Sequence, residues 1–123
     1  MKLVHQPLGS NLCGQSCVAM VLGLTLKEVK PLFKVWGRTS TKDLVNAIRG
    51  FTTRDKRTFH VSNKLVRLKK GKPLPELAIC LWRWPGLWCS HWVVWAEGKF
   101  WDPEPDGIIG GRMTSYLPIG VEP

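Results

Sequence analysis

From Cys17 to Leu22 the chain reads CVAMVL, apolar on every side of a helix, and Gly23 closes it. A helix with no polar face has to be buried all round. Residues 13 to 23 are therefore predicted to form the central helix, with the rest of the 123 residues wrapped around it. That length supports one core but leaves no room for a second beside it, so residues 1–123 are expected to form one domain.

What wraps the helix changes character along the chain. Thr25 with Glu28, and Ser40 with Asp43, have the capping-box spacing that satisfies orphan amides at a helix start. Helices are predicted over about 26 to 35, weakened by Pro31, and over 41 to 50, where Leu44, Val45 and Ile48 make an inward stripe ending at Gly50. From Phe59 onward the residues are β-branched and aromatic in short runs. Strands are predicted near 58 to 62, 64 to 68, 77 to 83, 90 to 96, 99 to 102 and 115 to 121. Helices first and strands afterwards mean an α+β fold, an antiparallel sheet packed on the buried helix.

Charge bounds the partners. Eighteen Lys and Arg against nine Asp and Glu leave +9, which draws the molecule to polyanions such as nucleic acid, anionic lipid or acidic peptides. The basic residues crowd into the middle third, at Arg54, Lys56, Arg57, Lys64, Arg67, Lys69, Lys70 and Lys72, where Phe59 is the one aromatic among them. A nucleic-acid face mixes basic side chains with stacking rings, so this pattern argues against nucleic acid and for a solvated basic face. No apolar stretch is long enough to span a bilayer, and no small-residue cleavage site follows the apolar run near the start. A soluble protein made in the cytoplasm is expected.

Cys13, Cys17, Cys80 and Cys89 could form two disulfides, but buried reduced thiols are common in cytosolic proteins. A zinc site from Cys13, Cys17, Cys89 and His91 lacks the paired-knuckle spacing, so no metal and no cofactor is expected.

Cys13 opens the central helix. A helix N-terminus presents unsatisfied amides and a positive dipole end, which favour a thiolate, the reactive form of cysteine. Gly14 removes side-chain bulk next to it, letting an acyl carbon approach and leaving backbone amides to face a developing oxyanion. Gln6 precedes Cys13 by seven residues, through a loop containing Pro7 and Gly9 that can fold back and set an amide beside the sulfur.

Far downstream stand His91 and Asp102. If Glu97 and Gly98 make a two-residue hairpin turn, residue 96 pairs with 99 and 93 with 102. His91, Val93 and Asp102 then share one face, with His91 and Asp102 as diagonal neighbours. Trp92, Val94 and Trp101 would take the other face. A three-residue turn would separate His91 from Asp102. Paired as neighbours, Asp102 would fix the tautomer of His91 and raise its basicity, and His91 would serve the Cys13 thiolate.

These residues carry a resemblance. Gln6, CGQSCVAMVLG and HWVVWAEGKFWDP are similar to the papain-like cysteine peptidases, and closest to the double-glycine leader peptidase group. In that group a Gln precedes a Cys-Gly opening the central helix, and a His-x-Val-Val strand leads to an Asp-Pro. The helix over 41 to 50 and the LPELAICL run at 74 to 81 fit the same order. Leu12 stands where the group usually has an acid. The resemblance implies a papain-like fold with Cys13 as nucleophile, Gln6 as oxyanion donor, His91 as base and Asp102 as its orienter. Papain proper has its nucleophile at the second cysteine of a Cys-Gly-Ser-Cys run. Cys17 is the rival by that analogy, but the extra residue and the following Val18 mark it as a packing thiol.

Six tryptophans fall between Trp82 and Trp101. Trp92 and Trp101 are assigned to the core. Trp84 and Trp88, in a loop with Pro85 and Gly86, are candidates for substrate contact. The combined expectation is a cysteine peptidase or related thiol hydrolase that cleaves a peptide, isopeptide or amide bond of a peptide or protein substrate, an acidic one being favoured by the cationic surface. The alternatives are an amidase or acyltransferase on a non-protein substrate, which shares the acyl-enzyme step, and a catalytically silent binding module of the same fold.

Overall fold

The computed structural model describes residues 1–86, 89–107 and 110–122. Helix α1 spans Cys13–Leu22, and every residue from Gly14 to Leu22 is buried, as an all-apolar helix requires. Gly23 ends it in the left-handed conformation, φ 70°, with its N–H returned to the Ala19 carbonyl. Both predicted capping boxes form: Thr25 exchanges hydrogen bonds with Glu28, and Ser40 with Asp43.

The helix expected over 26 to 35 is shorter and broken. Helix α2 covers Leu26–Val29 and passes into a 3-10 turn at Lys30–Leu32, where Pro31 lacks the N–H that would extend the α ladder. Helix α3 spans Thr41–Ile48, two residues short of expectation, because Arg49 leaves helical geometry ahead of Gly50, which has φ 71°. Leu44 and Ile48, fully buried on its inner face, each contribute roughly 1.5–3 kcal/mol by burial.

Among the described residues six strands follow: β1 Thr58–Val61, β2 Val66–Arg67, β3 Leu77–Arg83, β4 Ser90–Ala96, β5 Lys99–Trp101 and β6 Arg112–Glu122. They build one antiparallel sheet in the order β1-β6-β3-β4-β5, with β2 also on β6. β3 and β4 match their predicted spans, whereas β2 is reduced to two exposed residues and β6 starts three residues earlier than expected. The early part of β6 is paired with β3 across a register shift at Leu81/Trp82, an irregularity that no hydrophobic alternation signals. The domain is thus a mixed α+β arrangement, helices on an antiparallel sheet.

The hairpin that positions the site has the two-residue turn. Glu97 and Gly98 have φ 55° and 74°, both positive as a primed hairpin turn demands, and Ala96 pairs with Lys99, Trp95 with Phe100 and Val94 with Trp101. The two faces sort accordingly. Trp92, Val94 and Ala96 join α1 and α3 in the main core, with Trp101 packed against it, while Val93 packs with Ala78 and Cys80 on the other side. Among the described residues no helix is long and apolar enough to cross a membrane.

Candidate active site

β5 is short, and its pairing with β4 reaches only the Val94–Trp101 rung. Past that rung the flank of β4 is open to other parts of the chain, and the two ends of the molecule meet there. The Gln6 N–H donates to the Pro103 carbonyl at 2.8 Å, which ties the N-terminal loop to the segment after β5. Between them lies a cleft of about 240 Å³ whose lining includes Gln6, Cys13 and His91. Three residues predicted from distant parts of the sequence therefore share one cavity.

Cys13 is the first residue of α1 and partly exposed. Leu12 precedes it at the N-cap and has no side-chain oxygen, so no side chain caps the first turn and no acid stands in it. The positive end of the helix is left to the sulfur and to whatever binds next to it.

His91 is 9 % exposed, and its Nε2 lies 2.8 Å from Asp102 Oδ1, the diagonal pairing that the two-residue turn predicts. The same oxygen accepts the Glu104 N–H at 2.9 Å, which fixes the carboxylate. With Nε2 committed to Asp102, the second ring nitrogen is left for the sulfur. Burial opposes a charge on this ring, but the Asp102 carboxylate and the Cys13 sulfur favour the imidazolium more strongly, and the pKa is pushed up to about 9. The Cys13 sulfur acts on the ring both by hydrogen bonding and by charge, so sulfur and imidazole face each other across the cleft.

Gln6 is 4 % exposed. The loop after it turns at Pro7–Ser10, with Gly9 at φ 75°, and Gln6 Nε2 donates to the Ser10 carbonyl at 2.8 Å. A side-chain amide has two N–H donors, so one is fixed by this bond and the second is available to a ligand in the cleft.

The other cysteines differ in kind. Burial drives the Cys17 thiol up, with further contributions from Cys13, Cys80 and Asp102, and Cys80 is pushed up to about 12 by burial. Both are packing thiols, which fits the choice of Cys13 over Cys17. Cys89 is exposed and lines the cleft. All four are free thiols. Among the described residues no group of three or more His, Cys, Asp or Glu is placed to hold a metal ion.

Two expectations need correction. Gly14 does not line the cleft; it is buried, and a Cβ there would overlap Thr39 Oγ1 and stand 3.1 Å from Thr39 Cβ and 3.2 Å from Leu44 Cδ2. Its missing side chain admits the loop that carries Thr39 rather than an acyl group. Gly14→Ala is accordingly expected to cost about 1–3 kcal/mol by overpacking, read as a lower urea midpoint at unchanged slope. Trp84 is not among the described residues that line the cleft; it stands against Gly110 and Gly111, where a Cβ on Gly111 would come within 2.8 Å of its Nε1. Trp88 falls outside the described residues.

Sequence reasoning passed over the loop residues of the cleft, Ser10, Arg38, Thr39 and Glu104. One signal was present: Gln15, a glutamine inside an apolar helix, is fully buried, and its Nε2 finds an acceptor in that loop, the Gly37 carbonyl. A larger open depression of about 810 Å³ sits at the opposite end of α1, around Met20 to Gly23, and contains neither Cys nor His.

No family model matches the chain, and no curated protein or solved structure matches it.

Proposed function

We propose that the protein is a papain-like thiol hydrolase that cleaves a peptide, isopeptide or amide bond through an acyl-enzyme. The observation that carries this reading is the convergence in one cleft of Cys13 at the start of α1, His91 bonded to Asp102, and the Gln6 amide. Each group has a separate job in acyl transfer, and each comes from a different part of the chain.

In the proposed reaction the Cys13 thiolate attacks the substrate carbonyl carbon, and the carbonyl oxygen gains the electron pair. The free N–H of Gln6 and the uncapped amides of the first helical turn stabilise that oxyanion. As the intermediate collapses the carbon–nitrogen bond breaks, and the His91 imidazolium protonates the departing amine. A thioester on Cys13 remains. Neutral His91 then takes a proton from water as the water attacks the thioester, which releases the acid and restores the thiol pair. Throughout, Asp102 keeps Nε2 occupied and Nδ1 turned to the sulfur.

Quenched-flow mixing with a coumarin-amide peptide, followed by acid arrest and mass mapping, tests this reading. An acyl adduct on the peptide bearing Cys13, formed at the rate of coumarin release, supports it. Release without an adduct, or an adduct on Cys89 instead, contradicts it. Gln6→Ala is expected to lower kcat by roughly 10²–10³-fold with little change in KM, because its donor acts on the oxyanion rather than on the ground state.

A further inference from the structure

We propose that Arg38 reads an acidic side chain of the substrate, so that the cleft selects peptides carrying Asp or Glu at one position near the bond cleaved. This rests on Cys13 as the nucleophile of a hydrolase and adds the substrate's chemistry to that reading.

The loop bearing Arg38 is fastened to the nucleophile's own helix. Gln15, two residues after Cys13 and fully buried, donates from Nε2 to the Gly37 carbonyl at 2.8 Å and lies 3.5 Å from that of Val35. Gly14, one residue after Cys13, admits Thr39 to the space its Cβ would fill. The residues on either side of Arg38 are thus fixed against the first turn of α1. The Arg38 backbone is held in register with the sulfur, while its side chain is exposed along the cleft.

Among the described residues Arg38 takes part in no ion pair; the pairs there are Met1–Glu97, Arg57–Asp55, His60–Glu122 and His91–Asp102. A guanidinium is a planar fork of donors that matches a carboxylate in two parallel hydrogen bonds. Apart from His91 it is the one cationic side chain on the described cleft wall.

Three buried polar atoms of the residues around it, Gln6 Oε1, Ser10 Oγ and Thr39 Oγ1, have no hydrogen-bond partner among the described residues, and all three residues line this cleft. Unpartnered buried polar atoms are uncommon in folded proteins and mark where a ligand's groups belong. An extended peptide supplies an N–H for Gln6 Oε1, whereas Thr39 Oγ1 is turned toward Gly14 in the first turn of α1. Glu104 lines the same cleft, in none of the ion pairs among the described residues, and its backbone N–H is bonded to Asp102. Its charge disfavours a second acid, so the acidic preference is confined to one position rather than spread along the peptide.

This separates Arg38 from the general basic surface. The net charge of +9 speeds encounter with any acidic peptide, whatever the position of its acid, whereas Arg38 acts on one position.

The test uses internally quenched, alanine-based hexapeptides with Asp, Asn or Lys placed at each position in turn. In the wild type, kcat/KM is expected to favour Asp over Asn by roughly ten-fold at one position. Arg38→Gln should bring that ratio near one, Arg38→Glu should shift the preference to Lys, and Arg38→Lys should keep part of it. Lys69→Gln with Lys70→Gln, outside the cleft, should leave the ratio in place. The same peptides are titrated by anisotropy onto Cys13→Ala protein, which needs no turnover. Binding that depends on Arg38 without hydrolysis by the wild type removes the hydrolase reading and keeps this one; hydrolysis without a positional charge preference does the reverse. A preference that survives Arg38→Gln, or no binding of any peptide, overturns the inference.

Discussion

Alanine at Cys13 is expected to reduce amide hydrolysis by on the order of 10⁵-fold, and alanine at His91 by about as much. The two losses should not add, since nucleophile and base serve one step, and the double variant should be no slower than either single one. Cys13 is partly exposed at a helix end and packs only at the edge of the main core, so its truncation leaves α1 seated on the sheet. Progress curves with a quenched peptide, alongside circular dichroism of each variant, make the comparison. Losses that multiply in the double variant would mean that the two residues act independently.

Asp102→Asn is expected to lower kcat/KM by roughly 10³–10⁴-fold and to move the alkaline limb of its pH profile toward acid. In the wild type His91 titrates near 9 against an ordinary value of 6.5, with burial pulling it down and the Asp102 carboxylate and Cys13 pulling it up more strongly. Neutralising Asp102 removes one upward influence and leaves the burial. Because the pKa is raised in the folded state, the charged ring's contribution to stability is complete below about pH 6.5 and is lost as pH rises through about 9. The imidazolium that protonates the leaving amine is lost over the same range, so the wild-type profile should fall near pH 9. Imidazole NMR shifts followed together with the rate test both assertions. An unmoved limb in Asp102→Asn would show that the carboxylate does not tune the ring.

Much of this arrangement is legible in the residues because the signals are local. The CVAMVL run cannot be anything but interior, and Ser40 with Asp43 marks the start of α3 to the residue. Glu97-Gly98 fixes the register that brings His91 to Asp102, since a turn one residue longer would have sent them to opposite faces. What the sequence conceals depends on distant packing. The site of Thr39 is set by the side chain that Gly14 lacks, and the exposed Arg38 follows from the bond between Gln15 and the Gly37 carbonyl. Trp84 looked suited to a substrate because tryptophan in a loop often is, but Gly110 and Gly111 receive it. Neither glycine shows a period or a cap that would announce this.

The most direct measurement is the rate of iodoacetamide alkylation of each thiol at pH 6, mapped by mass spectrometry in the wild type and in His91→Ala. A thiolate held by an imidazolium reacts at a pH where ordinary thiols are protonated. Selective alkylation of Cys13 in the wild type, falling to the rate of exposed Cys89 in His91→Ala, is the predicted result. Equal slow labelling of Cys13 and Cys89 in both proteins would contradict the pairing of sulfur and imidazole.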